Sequence, residues 1–294
     1  MATHINLSVV LATRDEEQNI ARCLESVKTI ADEILIFDEH STDKTVAIVK
    51  KYGAHVFDVD HNDNFHITKQ KAIDKALGEW ILQMDADEVI TPKLAKEIQQ
   101  IVHSNNEELL KKKRVLDKNS LYSRHMVALE QRDGKIGKDT GEVVAFLIPR
   151  INMFLGKPLI HAGVYPDPAI RLIKNGKAHL PAKSVHEIME VDGEVSWTEY
   201  AMEHYDSPTF NRYLARANRY TDLTAESFKK SSLSLSLRTL MFYSFIKPTI
   251  VFLNLYIRHL GILDGMRGFI WSLFSALHFP IAYFKYYSVQ YNSR

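Results

Sequence analysis

The sequence has little cysteine and almost no net charge. Cys23 is the single cysteine among 294 residues, which excludes an internal disulfide and a cysteine-cluster zinc site. The formal net charge is +1, whereas a protein dedicated to nucleic acid carries a clear basic excess. No GxGxxG or GxxxxGK[S/T] segment occurs, so a dinucleotide fingerprint and a P-loop are also excluded. The 13 histidines keep a His/carboxylate metal site open.

No basic segment precedes the first apolar run, in MATHINLSVV. This start predicts no secretory signal and a reducing, cytoplasmic setting. The composition is 46% hydrophobic and 25% charged, which is ordinary for a globular chain that buries a core. Disorder and coiled coil are therefore excluded as descriptions of the whole chain.

The C-terminal fifth is made of different material. From Arg238 onward the chain has six basic residues, one acid (Asp264) and 14 of its 30 aromatic residues. Two apolar stretches, 240–260 and 269–284, dominate this tail. The first contains Lys247-Pro248, and the second is shorter than the roughly 20 residues that a spanning helix needs.

We expect this tail to form helices that lie in the headgroup zone of an anionic membrane or re-enter it, since aromatic and basic residues mix along apolar faces. A helical hairpin packed on the rest of the protein or across a dimer is an alternative, and so is a true membrane span.

The first hundred residues alternate between short apolar runs and amphipathic segments. Such alternation predicts βαβ units and a mostly parallel sheet flanked by helices, an α/β fold. Ligands of such sheets bind beyond the carboxyl ends of the strands. The predicted strands are Leu7–Leu11, Glu33–Phe37, His55–Val59 and Trp80–Met84, and the predicted helices are 20–30, Thr42–Tyr52, Ile67–Leu77 and one that begins at Thr91.

Residues 104–142 interrupt this pattern. They are highly charged and lack a sustained period, which predicts a loop or helical insertion over the sheet. Further strands and loops are expected in Val143–Leu155, Ile170–Ile173 and Ser184–Val191, and Trp197–Phe228 has helical composition.

Asp85 and Asp87 form the most informative acidic pair. Two carboxylates one residue apart can hold a hard divalent cation against a diphosphate. Other acid-x-acid triplets exist, among them Glu190/Asp192, but Asp85-Ala86-Asp87 directly follows the fourth predicted strand. That position predicts a metal site at the ligand-binding edge of the sheet.

Asp38 ends the second predicted strand. Its carboxylate can accept hydrogen bonds from a nucleobase or a ribose. Helix capping is an equally good interpretation, because Ser41, Thr42 and Asp43 are all favoured N-cap residues.

Several ordered motifs together resemble family 2 glycosyltransferases of the GT-A type. They are SVVLATRDEEQNI, IFDEHSTDKT and WILQMDADE, and the later segments IPRINMFLGKPLIHAGVYPDPAIRLIKNGKAHLPAKSVHE, NRYLARANRYTDLTAE and LDGMRGF. The later segments are similar to the WaaE-like β-1,4-glucosyltransferases of the lipopolysaccharide core. The resemblance covers most of residues 5–270 and implies a GT-A fold that binds a nucleotide-sugar.

The resemblance also implies roles for donor-site residues. Asp87 would be the main metal ligand, for Mg²⁺ or Mn²⁺, and Asp85 would contact the ribose or the metal. Lys69 would face the donor phosphates, with a surface lysine as the alternative. Arg171 would clamp a phosphate, unless it is an ordinary strand-edge arginine. The nucleoside would be held by Thr13, Glu16 and Asp38.

The catalytic base is expected in the acceptor half. A carboxylate or imidazole must lie within hydrogen-bond reach of the acceptor hydroxyl. The resemblance places Glu187 there, with His186 orienting it, binding the acceptor or serving only a structural hydrogen bond. Asp167 is the reserve candidate.

Two positions depart from the family pattern. Glu39-His40 stands where the family has an acid followed by glycine, so the turn after the second strand must differ. Lys69-Gln70 replaces Arg-Asn. The preference for a UDP-sugar is therefore implied by the resemblance only.

The resemblance implies an inverting, metal-dependent hexosyltransferase, with glucose from UDP-glucose as the expected donor sugar. The acceptor would be a lipid-linked glycan such as lipopolysaccharide core, at the cytoplasmic face of a membrane, and a homodimer is possible. The expected organisation is a GT-A domain over 1–230 (nucleotide-sugar half 1–103, insertion 104–142, acceptor half 143–230) and a membrane-contact region over 231–294. The alternatives are a polyprenyl-phosphate sugar synthase and a non-catalytic membrane-associated scaffold.

Overall fold

A computed structural model describes residues 4–181 and 188–291 of the chain. It divides into two compact units. Unit 1 comprises residues 1–150 and 168–204, and unit 2 comprises residues 151–167 and 205–294.

Unit 1 contains a seven-stranded sheet with helices between its strands. The strands of this unit are β1 (Leu7–Thr13), β2 (Glu33–Asp38), β3 (His55–Asp58), β4 (Trp80–Met84), β5 (Glu88–Val89), β6 (Val143–Ile148), β9 (Ala169–Lys174), β10 (Ala178–His179), β11 (Glu190–Val191) and β12 (Glu194–Trp197). The strand order in the seven-stranded sheet is β12-β6-β9-β4-β1-β2-β3. Four of the six strand pairs in this sheet are parallel, and the two antiparallel pairs both involve β9, which confirms the expected α/β fold with a mostly parallel sheet.

The helices of unit 1 cover the sheet with apolar stripes. The helix Ile20–Val27 buries Ile20, Cys23, Leu24 and Val27, the i, i+3, i+4, i+7 spacing of one helical face. Strands β4 and β6 are buried along their whole length, as expected for strands covered on both sides. The helices are α1 (Ile20–Val27), α2 (Thr45–Lys51), α3 (Phe65–Lys75), α4 (Pro92–His103), α5 (Asn106–Leu116) and α6 (Ser120–Asp133).

The charged insertion consists mainly of α5 and α6. Asn105 and Glu108 form a reciprocal capping box at the start of α5, which satisfies two of the free N–H groups of the first turn. Tyr122 of α6 stacks on Trp197 with ring centroids 4.5 Å apart. The insertion is therefore packed onto the sheet by its few apolar residues.

Unit 2 combines short strands with long helices. Its strands are β7 (Arg150–Phe154), whose first residue belongs to unit 1, β8 (Lys157–Leu159) and β13 (Met202–Ser207), which starts in unit 1. Phe154, Leu159 and Tyr213 form its small core. The helices are α7 (Phe210–Lys230), α8 (Leu237–Met241), α9 (Lys247–Leu253) and α10 (Gly265–Tyr291), with π-helical segments at Phe242–Ile246 and Asn254–Arg258 and a 3₁₀ turn at Gly261–Asp264.

The helix Leu237–Arg258 includes α8, α9 and both π-helical segments. Its 22 residues have a mean hydropathy of 1.5 over the most apolar window, and none of that window is buried. By length and composition it is long and apolar enough to cross a membrane. Pro248 lies in the first turn of α9, directly after a π-helical segment, and such local widening lets a helix accommodate proline.

Residues 197–209 differ from the helical composition noted above. Here the chain forms β13, and Glu203 and His204 pair with Val89 and Glu88 of β5. Strand pairing with a distant segment overrides the local preference, and the helix begins only at Phe210.

Candidate active site

The carboxyl ends of β1, β2 and β4 meet at one edge of the sheet. Thr13 and Asp38 are register partners at the ends of β1 and β2. Met84, the last residue of β4, is paired with Leu11 of β1, so Asp85 follows at the same edge. The structure therefore brings the two acidic segments together at the edge where α/β sheets bind ligands.

Asp38 is buried and held in one orientation. Its Oδ1 accepts hydrogen bonds from Thr13 Oγ1 at 2.9 Å and Ser41 Oγ at 2.6 Å. Its Oδ2 accepts one from the backbone N–H of Ser41 at 2.8 Å. The carboxylate thus fixes the turn after β2, and the second lone pair of Oδ2 is the acceptor left for a ligand among these contacts.

The loops after β1 and β2 bind each other reciprocally. The N–H of Glu16 donates to Thr45 Oγ1 at 2.7 Å, and the N–H of Thr42 donates to Asp15 Oδ1 at 2.7 Å. The Glu16 carboxylate accepts from Asn19 Nδ2 at 2.9 Å. These bonds hold the loop that follows Thr13 and contains Glu16 in place.

Glu39 and His40, which depart from the family pattern, have defined contacts in the turn after β2. Glu39 is buried, and its carboxylate accepts hydrogen bonds from Thr68 Oγ1 at 2.5 Å and pairs with His61 Nδ1 at 2.6 Å. His40 adopts φ +54°, the left-handed region that glycine occupies without strain. Its ring lies 2.9 Å from Asp58 and 3.3 Å from Asp60, and these carboxylates raise the His40 pKa, the Asp60 hydrogen bond most strongly.

Asp85 lies between two cations. Its Oδ1 is paired with the Lys69 ammonium, and its Oδ2 with Arg171 Nη2 at 2.6 Å. Burial alone would raise the pKa of Asp85, but the charges of Arg171 and Lys69 outweigh it and hold the pKa well below its ordinary value. Lys69 is not a surface lysine: it is buried, with its ammonium 4.7 Å from the Phe65 ring centroid.

Arg171 is buried and contacts the carboxylates of Asp85 and Glu88. Its Nε and Nη2 donate to Glu88 Oε1 at 3.2 and 2.6 Å, and its Nη1 donates to Gln83 Oε1. Glu88 also accepts the Asp85 N–H at 2.9 Å. With most of its five N–H groups engaged by protein oxygens, the guanidinium orients the turn of Asp85 rather than presenting a free fork.

A cavity of about 160 Å³ opens beside this network. Cationic side chains are prominent among its lining groups, which suits a group of negative charge. The polar residues that line it are His66, Lys69, Gln83, Arg132 and Arg171.

Asp87, two residues after Asp85, lies near His204. Its Oδ2 is 3.6 Å from His204 Nε2, and both side chains are largely shielded. His204 belongs to β13, whose Asp206 lies two residues further and thus on the same face of the strand. Within unit 2 the Asp206 carboxylate is ion-paired with Arg216.

The expected acceptor-side residues are placed less completely. Glu187 and His186 lie outside the described residues. Asp167 belongs to unit 2, adopts φ +36°, and accepts a hydrogen bond from Asn152 Nδ2 at 3.0 Å.

Several residues of this site have no signal in the sequence. Glu88 is an ordinary charge beside the acidic motif in the sequence, although it is buried in the structure. His204 was obscured because its segment has helical composition, whereas an i, i+2 relation to Asp206 matters only on a strand.

A family model described as glycosyl transferase family 2 matches residues 8–159. An uncharacterized glycosyltransferase of Rickettsia typhi is 38% identical over 102 residues, which is 35% of each chain. The matched stretch thus spans about a third of that relative's own length. LpsC of Rhizobium meliloti, a lipopolysaccharide core biosynthesis glycosyltransferase, is 24% identical over 285 residues, 95% of this chain and 90% of its own.

Among solved structures, S. aureus TarS 1–349 in complex with UDP is similar at 15% identity, over 88% of this chain and 75% of its own, with a TM-score of 0.39. That score is too low to support a conclusion about this chain.

The family model covers just over half of the sequence, including the strand–loop segments that build the acidic edge of the sheet. The chain therefore belongs to glycosyl transferase family 2.

Proposed function

We propose that this enzyme transfers a hexose from a UDP-sugar, with glucose as the first donor to test, to a lipid-linked glycan of the lipopolysaccharide-core type. The observation that carries the proposal is the convergence of Asp38, Asp85 and Asp87 at one sheet edge within a family 2 glycosyltransferase. The resemblance to the WaaE-like branch supports inversion at the anomeric carbon and glucose as the sugar.

The donor would bind along the carboxyl ends of β1, β2 and β4. Asp38, with Thr13 and Glu16 in the neighbouring loop, would hold the nucleoside, since its carboxylate is fixed in place by three hydrogen bonds. Lys69 would meet the donor phosphates beside the cationic cavity. Asp85 would contact the ribose rather than the metal, because its two carboxylate oxygens are already paired with the positive charges of Lys69 and Arg171.

Arg171 takes a revised role in this proposal. It does not clamp a phosphate but holds Asp85 and Glu88 and thereby sets the orientation of the acidic turn.

A divalent cation, Mg²⁺ or Mn²⁺, fits the donor atoms at Asp87. The Asp87 carboxylate oxygen and the His204 imidazole nitrogen approach to 3.6 Å, and a carboxylate–imidazole pair suits Mn²⁺ better than Mg²⁺. When bound there, such an ion neutralises negative charge on the departing diphosphate. We propose Asp87 and His204 as its ligands, with Asp85 close by.

The acceptor hydroxyl needs a base. We propose Glu187 in this role, assisted by His186, and keep Asp167 as the reserve. The similarity to LpsC over 95% of this chain supports a lipopolysaccharide-core acceptor.

The tail would bring the enzyme to its acceptor. The exposed apolar helix Leu237–Arg258 supports contact with the cytoplasmic face of a membrane. We keep the division into a GT-A domain over 1–230 and a membrane-contact region over 231–294 as part of this proposal, with a homodimer as one possible assembly.

The direct test is a transfer assay with UDP-glucose, UDP-galactose and GDP-mannose, lipopolysaccharide-core acceptor and Mn²⁺, with products identified by mass spectrometry. We expect transfer from a UDP-hexose, a strong loss in Glu187→Gln, and little change in Asp167→Asn. Transfer from GDP-mannose alone would contradict the proposed donor class.

The same variants separate the runner-up function. A phosphate acceptor needs little help from a general base. A Glu187→Gln enzyme that kept full activity and glycosylated polyprenyl phosphate would therefore identify a polyprenyl-phosphate sugar synthase.

A further inference from the structure

Unit 2 contains a cavity of about 420 Å³ that the proposed donor chemistry does not use. Its volume is typical of sites for small organic ligands, which lie between about 300 and 1,000 Å³. Most of its wall is aromatic or aliphatic, with a few polar groups. It is lined by Asp206, Ser207, Tyr213, Arg216, Ala217, Tyr220, Val251, Trp271, Phe274, Ser275, His278 and Phe279.

The helix Leu237–Arg258 forms part of this wall. Val251 lines the cavity, and Lys247, one turn earlier, lies on the same helical face. The Lys247 ammonium is 4.6 Å from the ring centroid of Phe279, another lining residue. The helix thus contributes Val251 to the cavity wall and places the Lys247 ammonium beside Phe279, one of the lining residues.

The outward side of the same helix is apolar and exposed. Phe245, Ile246, Ile250, Leu253 and Ile257 each expose half or more of their surface. A stripe of this kind requires a nonpolar surrounding, as in the interfacial zone of a bilayer. Val251 of the cavity wall thus belongs to the one described helix whose composition and exposure match a membrane.

Several polar lining groups already have partners within the protein, and the rest of the wall is mostly apolar. Asp206 is ion-paired with Arg216, and His278 Nε2 is hydrogen-bonded to Thr224 Oγ1 at 2.9 Å. A hydrocarbon chain requires no hydrogen bonds from such a wall, whereas a sugar of the same size does. Lys247 supplies a positive charge beside Phe279 for an anionic headgroup.

We propose that this cavity binds one hydrocarbon chain of an anionic membrane lipid drawn from the surrounding bilayer. The proposal rests on the membrane contact proposed above but not on the donor, the metal or the acceptor glycan.

Trp271 is a built-in reporter for the test. It lines the cavity, whereas Trp80 and Trp197 are buried in unit 1. The 294-residue protein would be mixed with vesicles of phosphatidylethanolamine and phosphatidylglycerol in which the phosphatidylglycerol chains are brominated, and tryptophan quenching would be recorded. Bromine quenches only at close contact, so we expect quenching in the wild type and its loss in Trp271→Phe.

Ala217→Phe fills the cavity, and Ala215→Phe is its matched control. Ala215 lies on the same helix but is exposed and outside the lining. We expect Ala217→Phe to lose most of the quenching while it still co-sediments with vesicles, and Ala215→Phe to behave like the wild type. Circular dichroism verifies that both variants are folded.

Equal quenching in Ala217→Phe and Ala215→Phe would overturn the proposal. Loss of sugar transfer to a delipidated acceptor in Ala217→Phe, with lipid quenching unchanged, would also overturn it and assign the cavity to the glycan. Because quenching requires no turnover, a failure of the proposed transferase chemistry would leave this readout intact. A wild-type protein that does not co-sediment with vesicles would overturn the membrane contact and, with it, this proposal.

Discussion

At the scale of single residues, the acidic turn after β4 depends on buried charges that balance each other. Glu88 is fully buried, and its carboxylate contacts Arg171 at 2.6 Å and Arg150 at 3.6 Å. Asp85 shares Arg171 with it. Because desolvation of charges is costly, such a cluster tolerates the loss of a member poorly.

Arg171→Met should therefore destabilise the protein strongly. Removing one partner of a buried pair costs about 3–5 kcal/mol, and we expect about 3 kcal/mol here because Arg150 and Lys69 remain. Lys174→Met on the same strand is the control, since its pair with Glu142 is partly exposed and is worth at most about 1 kcal/mol. Urea unfolding measures both, and equal losses would contradict the account.

His40 offers a residue-scale titration. Its pKa is raised by Asp60 and Asp58, so the ring should stay protonated above the ordinary midpoint of 6.5. Any stability from this pairing is present at low pH and is lost as the pH rises through the elevated pKa. NMR titration should show a lower His40 midpoint in Asp60→Asn and no change in Asp63→Asn, whose carboxylate lies near His61 instead. A His40 midpoint insensitive to Asp60 would refute the pairing.

At the scale of elements, the sequence predicts what depends on local patterning. The apolar runs that became β1, β2 and β4 were recognisable because strands buried on both faces read as continuous apolar segments. Strand β13 was not, because its pairing with β5 joins residues more than a hundred positions apart. The ion pairs of Lys69 and Arg171 with Asp85 are equally hidden, since no local rule relates a residue of α3 or β9 to the turn after β4.

The helix Leu237–Arg258 provides an element-scale prediction. Leu253→Glu places a charge on its exposed apolar stripe and should reduce co-sedimentation with phosphatidylglycerol vesicles severalfold, because a charge at the apolar face opposes insertion. Leu77→Glu changes a leucine that is 72% exposed in unit 1 and should leave co-sedimentation unchanged. Identical behaviour of the two variants would argue against membrane contact through this helix.

At the scale of the whole molecule, the chain contains an acidic sheet edge and an aromatic, apolar tail. Family membership follows from the match over residues 8–159. The sheet edge was predictable because carboxyl ends of parallel strands gather their loops. The acceptor side stays a prediction, because Glu187 and His186 lie outside the described residues.

In the proposed function, Asp87 holds the metal that a UDP donor requires. Isothermal titration with UDP, with and without Mn²⁺, would compare the wild type with Asp87→Ala and Asp192→Ala. Asp192→Ala is the control, because Asp192 belongs to another acid-x-acid triplet and is paired with Lys138 at the surface. We expect Mn²⁺-dependent UDP binding that weakens at least about tenfold in Asp87→Ala and persists in Asp192→Ala. UDP binding that is indifferent to Mn²⁺ and to Asp87, or no UDP binding by the wild type, would contradict the proposed function.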